Sequence, residues 1–278
     1  MATHQDGIFS EDVDHHVFLE FSLRGHEKTL PQTDLVVAPL DGGAQVVAFG
    51  PKLADVPLTG FATVEGLAGF TAPGTQQDIF VWLHGLGRDE LFARALAWRD
   101  ALAPVADVAF ENHGFKFRDS RDLTGFVDGT ANPKEDARCA AALTEDGGSF
   151  VLGQRWVHDL NRFAALPVGD QERVFGRTKA DSVELTGDAM PKDSHVSRTD
   201  LPGTKIWRRS APVGGVRDPG LFFLAFGADV ERFQILLRSM FGLTGDGLHD
   251  RMLRFSKPIT GSFYYAPPVA TLESVFGG

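Results

Sequence analysis

From His16 to Leu23 the chain reads His-Val-Phe-Leu-Glu-Phe-Ser-Leu, closing in an alternation of apolar and polar positions that predicts a half-buried strand. Ser149 to Val157 opens the second half in the same way. Between these starts lies a repeated block. Asp78 to Gly85 is an apolar run of strand length ending at glycine, and Leu86 to Leu96 follows with helical spacing, Leu91 and Leu96 marking the apolar side. Gly220 to Gly227 and then Ala228 to Leu237 repeat the pattern, with Phe233, Leu236 and Leu237 on the apolar side. With hairpin-length pieces such as Ala44 to Gly50 between them, the pattern predicts an α+β protein of two halves, each a sheet with helices on one face. Asn132 to Asp136 and Glu145 to Gly148 read as loop and place the division there, giving an N-terminal half of residues 1–135 and a C-terminal half of 136–278.

Composition narrows this picture. A chain of 278 residues, 43% hydrophobic and 23% charged, has the balance of a soluble globular protein and can bury a substantial core. Its 23 phenylalanines against two tyrosines provide large apolar surfaces without a polar handle, which suits either a plain core or the walls of a cavity for a flat apolar ligand. The net charge of −10, without any Lys/Arg run, argues against nucleic acid and favours cationic or neutral small partners. A single cysteine, Cys139, excludes an intramolecular disulfide and any multi-cysteine metal site. No stretch of about 18 apolar residues exists to span a membrane, and Met1 to Gly25 lacks a secretory pattern, so the cytoplasm is the expected compartment.

Three segments carry candidate chemistry. Gly125-Phe126-Val127-Asp128-Gly129 sets one carboxyl group between two glycines, in a run too small and polar for ordinary core. Asp193-Ser194-His195-Val196-Ser197-Arg198 follows, and then Lys205-Ile206-Trp207-Arg208-Arg209-Ser210-Ala211-Pro212. Of the other histidines, His4, His15, His16 and His26 lie in polar or terminal sequence, and His84 and His113 flank glycines where a turn or capping role is as natural.

In order and local sequence these segments resemble the dye-decolorising peroxidase family, whose signature is Gly-x-x-Asp-Gly followed by a proximal His and a distal Arg. The likeness runs from about residue 8 to about residue 268 and is nearest to the short bacterial B-type members. It implies two ferredoxin-like halves of the dimeric α+β barrel superfamily, with facing antiparallel sheets and flanking helices. One haem b per chain is implied in the C-terminal half. His195 is then the iron ligand and Asp250 the acceptor for its second ring nitrogen, with Asp246 the rival. A carboxylate there gives the imidazole imidazolate character and tunes the iron.

On the other face of the haem, Asp128 takes the peroxide proton, close to a fixed arginine that keeps it ionised, and Arg208 stabilises the leaving oxygen. Gly129 lets the backbone approach the haem. Ser210 matches the third distal position, and the Arg-x-Ser pattern selects Arg208 over Arg209, which reads as a solvated or propionate-binding cation. Arg177, in Gly176-Arg177-Thr178-Lys179, matches the segment that meets a propionate. The implied activity reduces hydrogen peroxide and oxidises dyes, phenols and other small aromatic one-electron donors, with Trp156, Trp207, Tyr264 and Tyr265 as possible relay residues beside a plain packing role. A homo-oligomer is expected, and an encapsulating shell fits as a further partner. Two other readings compete: a haem-processing protein of the same superfamily, and a ligand-binding module without redox chemistry. Asp128 in the signature speaks for the peroxidase.

Overall fold

The computed structural model describes residues 3–11, 13–25, 29–36, 38, 40–85 and 87–277. Twelve strands are present among them: β1 His15–Leu23, β2 Gly43–Phe49, β3 Val64–Glu65, β4 Thr71–Ala72, β5 Ile79–Gly85, β6 Ala106–Phe115, β7 Ser149–His158, β8 Trp207–Arg208, β9 Ala211–Val213, β10 Gly220–Gly227, β11 Ser256–Pro258 and β12 Ser262–Ala266. The helices are α1 Arg88–Leu102, α2 Asp136–Ala142, α3 Leu160–Ala164, α4 Val168–Phe175, α5 His195–Thr199, α6 Val230–Met240 and α7 Val269–Gly277.

Strands of the first half pair antiparallel in the order β2-β5-β1-β6, and those of the second in the order β12-β7-β10-β9. The sheets do more than face each other. Tyr265 of β12 pairs with Phe49 of β2, and Gly114 of β6 pairs with Val213 of β9, so eight strands close into a barrel. The second seam is tight at Gly114, where a Cβ would stand 3.1 Å from side-chain atoms of Ala211, His16 and Phe18. The short β11 and β8 extend the edges of β7 and β10, and β3–β4 form a separate ribbon.

Closure explains one departure from the sequence pattern. β1 is buried on both faces except at His15 and Ser22, since one face packs under α1 and the other lines the barrel. The interior is filled by Phe18, Phe80, Trp82, Phe222, Phe226 and Tyr264, all 0% exposed, with Phe18 and Phe222 stacked at 4.1 Å. Burying each ring contributes about 1.5–3 kcal/mol. Glu20, expected on a polar face, points into this interior and accepts a 2.5 Å hydrogen bond from Tyr264 Oη across the two halves. Most phenylalanines therefore serve the core, and only a few border a cavity.

Both glycine-terminated strands lead into helices, as expected. In α1 the packed side is Leu91, Ala95, Trp98 and Leu102, with Leu96 only half-buried; Leu86 and His26 lie outside the described residues. In α6 Phe233, Leu236 and Leu237 pack against β7, β10 and β12, and Asp229 caps the helix by accepting from Arg232 N at 3.0 Å. α1 and α7 cover the first half, while α5 and α6 stand off the second and leave a pocket.

Candidate active site

The pocket lies between the outer face of β7 and β10, helices α5 and α6, and the loop 122–131. Leu152, Trp156, Leu221, Phe223, Leu236 and Met240 make its walls apolar, and Asp128, Arg177, His195 and Arg208 bring polar and charged groups to it. Each charged group is held by a local device.

His195 is the first residue of α5, a helix capped by Ser194, whose Oγ accepts from Ser197 N at 3.3 Å. His195 Nδ1 is 2.6 Å from Asp250 Oδ2, which fixes the ring and leaves Nε2 free of any protein partner among the described residues. Asp250 is fully buried and has a second duty: Oδ1 accepts from Met252 N at 2.8 Å and caps the short 3-10 helix Arg251–Arg254. Asp246 instead pairs with Arg198 at 2.6 Å, so geometry removes it as the rival acceptor.

Asp128 is turned by its glycines. Gly125 and Gly129 have φ of +91° and +76°, a left-handed backbone that side chains resist, and Gly129 N donates to Asp128 Oδ1 at 2.6 Å. Asp128 is held above the ordinary carboxyl range by burial, with Arg208 opposing that shift and Asp122 reinforcing it. Desolvation thus sets the direction of the shift, while the Arg208 cation works against it in favour of the ionised form.

Trp207, Arg208 and Arg209 alternate across the sheet, which settles the register. Arg208 faces the pocket. Trp207 and Arg209 turn into the barrel, where the Arg209 guanidinium lies 5.6 Å from the Trp82 ring and 6.0 Å from that of Trp207 and donates to the carbonyl of Ser10. The Arg209 guanidinium is therefore turned away from the pocket, and burial pulls its pKa down to about 10. Asn132, which reads in sequence as mere loop, clamps Arg208: Oδ1 accepts from Arg208 N at 3.0 Å and Nδ2 donates to Arg208 O at 2.8 Å. This pair ties the Asp128 loop to β8.

Arg177 lines the pocket but also holds Glu184 at 2.6 Å. Ser210 continues the strand past β8, where Arg209 N bonds Leu224 O at 2.8 Å, and its hydroxyl accepts from Leu224 N at 3.4 Å. Sequence reading also missed a buried trio: His158 Nδ1 is 2.7 Å from Ser256 Oγ, and its Nε2 is 3.1 Å from Asp122 Oδ2. Trp156, Trp207, Tyr264 and Tyr265 are all at most 7% exposed, so none forms a surface relay station.

An acid-anchored imidazole, a second acid and an arginine thus share one largely apolar pocket. Comparison with known proteins gives the family. The Dyp-type peroxidase C-terminal family matches residues 119–271. A dye-decolorizing peroxidase of Mycolicibacterium paratuberculosis is 37% identical over 218 residues, 73% of this chain and 61% of that one. Among solved structures, a dye-decolorizing protein from V. cholerae superposes with a TM-score of 0.87 at 33% identity, covering 97% of this chain and 99% of that one. A DypB variant of Rhodococcus jostii RHA1 in complex with haem gives 0.86 at 28% identity, over 99% and 100%. The chain belongs to the dye-decolorising peroxidase family. It spans about three fifths of the length of the curated relatives it matches.

Proposed function

We propose that the protein is a haem-dependent peroxidase that reduces hydrogen peroxide and oxidises dyes, phenols and related aromatic donors, with one haem b per chain held against the C-terminal half. The observation that carries this reading is His195, whose Nδ1 is anchored by Asp250 at 2.6 Å while Nε2 stays free at the edge of an apolar pocket. The residues present fit the group. Apolar walls suit a flat macrocycle, a neutral imidazole nitrogen suits iron, Arg177 suits a propionate, and Gln154 Nε2 is a buried donor on the lining with no protein partner. Bound haem supplies the two-electron redox chemistry that peroxide reduction requires.

The chain's own residues then divide the work. Asp250 holds the His195 tautomer and strengthens its donor character. Asp128 accepts a proton from incoming peroxide, and Gly129 N–H steadies the carboxylate that does so. Arg208, fixed by Asn132, stabilises negative charge on the departing oxygen. Ser210 is given no step. Asp128 in this position favours the peroxidase over a haem-processing relative. We also propose two ferredoxin-like halves at 1–135 and 136–278, supported by the equivalent strand orders of the two sheets, and a homo-oligomeric state in the cytoplasm. Among the described residues no helix is long and apolar enough to cross a membrane. The test is haem titration followed by peroxide-dependent oxidation of a phenol; a protein that takes up haem yet oxidises nothing would leave only the haem-processing reading.

A further inference from the structure

A second groove opens on the protein beside the pocket, between the β3–β4 ribbon and the segment Leu253–Pro258. Phe70, Phe241, Leu253 and Pro258 give it apolar walls, and Arg162, Arg254 and Lys257 stand exposed along it. These three cations make no ion pair within 4.0 Å among the described residues, although acids outnumber bases 37 to 27 in the chain. Neighbouring cations do find partners, Arg251 with Asp193 at 2.7 Å and Arg198 with Asp246 at 2.6 Å. Of the nearby acids, Asp159 accepts from the backbone of Arg162, and Glu65, paired with Thr71 in the ribbon, makes no ion pair with the three cations. Arg162 is held in place, with Nη1 donating to Arg254 O at 3.1 Å and its guanidinium 5.5 Å over the Phe255 ring.

We propose that this groove binds small aromatic donors carrying a sulfonate or carboxylate, the anion meeting Arg254 and Lys257 and the ring lying on the apolar wall at Phe70. The three unpaired cations on an otherwise acidic chain reverse, locally, the preference for cationic or neutral partners that net charge alone suggests. Ser256 lines both this groove and the cofactor pocket, so a donor seated here is one residue away from the site it must reduce. That last step rests on the peroxidase reading; binding does not.

The experiment is calorimetric titration of the haem-loaded protein, without peroxide, using an anthraquinone monosulfonate as probe, at low and high salt. The test variant is Arg254→Glu with Lys257→Glu, since neither side chain makes a hydrogen bond to the described protein and folding should survive, which the melting temperature checks. The reversal should weaken probe binding by about tenfold or more, and added salt should weaken wild-type binding in the same direction. In turnover, KM for a sulfonated donor should rise with kcat retained, while neutral guaiacol keeps its kcat/KM. Equal affinity of the two proteins for the probe would overturn the proposal, as would equal losses for the sulfonated and neutral donors. Sulfate binding as tightly as the probe would overturn the aromatic occupant. If the probe binds as expected but no donor is oxidised, the peroxidase reading has failed and the groove has not.

Discussion

His195 Nδ1 and Asp250 Oδ2 stand 2.6 Å apart, and the same buried carboxylate caps the turn that follows it by accepting from Met252 N at 2.8 Å. One side chain thus orients the candidate ligand and fixes its own position. Asp250→Asn keeps a cap but removes the negative acceptor. Haem affinity or peroxide reactivity should fall by about 10- to 100-fold, and the haem reduction potential should shift positive. A redox titration checks the second point, and an unchanged potential would separate Asp250 from the tuning of His195.

The two adjacent arginines should differ sharply. Arg208→Leu removes a positioned charge from the pocket and should slow the reaction with peroxide by roughly 100-fold or more. Arg209→Leu acts in the barrel, so its effect should appear in the melting temperature instead. Stopped-flow mixing with peroxide distinguishes them; a kinetic loss confined to Arg209→Leu would reverse the assignment.

The pH dependence follows from the raised pKa of Asp128. As a base it works only when ionised, and burial moves its titration upward from the ordinary carboxyl range. The rate of reaction with peroxide should therefore rise with pH through that titration and fall on the acid side. In Asp128→Asn the acid limb should flatten. The rate of the peroxide step, followed apart from donor oxidation, is the measurement; identical limbs in both proteins would move the proton to another group.

Glu20 makes a prediction about stability alone. Burial raises its pKa from 4.5 to about 7, so the folded state favours the protonated acid. Its contribution is complete below about 4.5 and is lost as pH rises through about 7. Glu20→Gln, which is neutral and can still accept from Tyr264, should raise the melting temperature near pH 8 and change it little near pH 5. The gain should approach roughly 3 kcal/mol. Equal effects at both pH values would contradict a buried, titrating carboxyl.

What the sequence disclosed was local. The strand–glycine–helix blocks ending at Gly85 and Gly227 are visible because strand and helix periods show within a dozen residues, and the signature at Gly125–Gly129 is contiguous. Glu20 was misread because alternation cannot tell a solvent face from a barrel interior; closure depends on the seams at Tyr265–Phe49 and Gly114–Val213. The clamp of Asn132 on Arg208 spans 76 positions, and the His158–Asp122–Ser256 trio joins three separate elements. Neither leaves a mark on local spacing. Ser210 followed from a motif match alone, and local spacing does not show that its hydroxyl meets Leu224 N.

The central claim is that His195 binds haem iron and that the site reacts with peroxide. The most direct measurement is the visible absorption spectrum of the haem-loaded protein before and after one equivalent of hydrogen peroxide, taken in parallel for His195→Ala. The wild type should show a Soret band of histidine-ligated ferric haem that changes within the mixing time, and His195→Ala should lose that band or hold haem only weakly. A wild-type spectrum indifferent to peroxide, or a His195→Ala spectrum identical to wild type, would contradict the account.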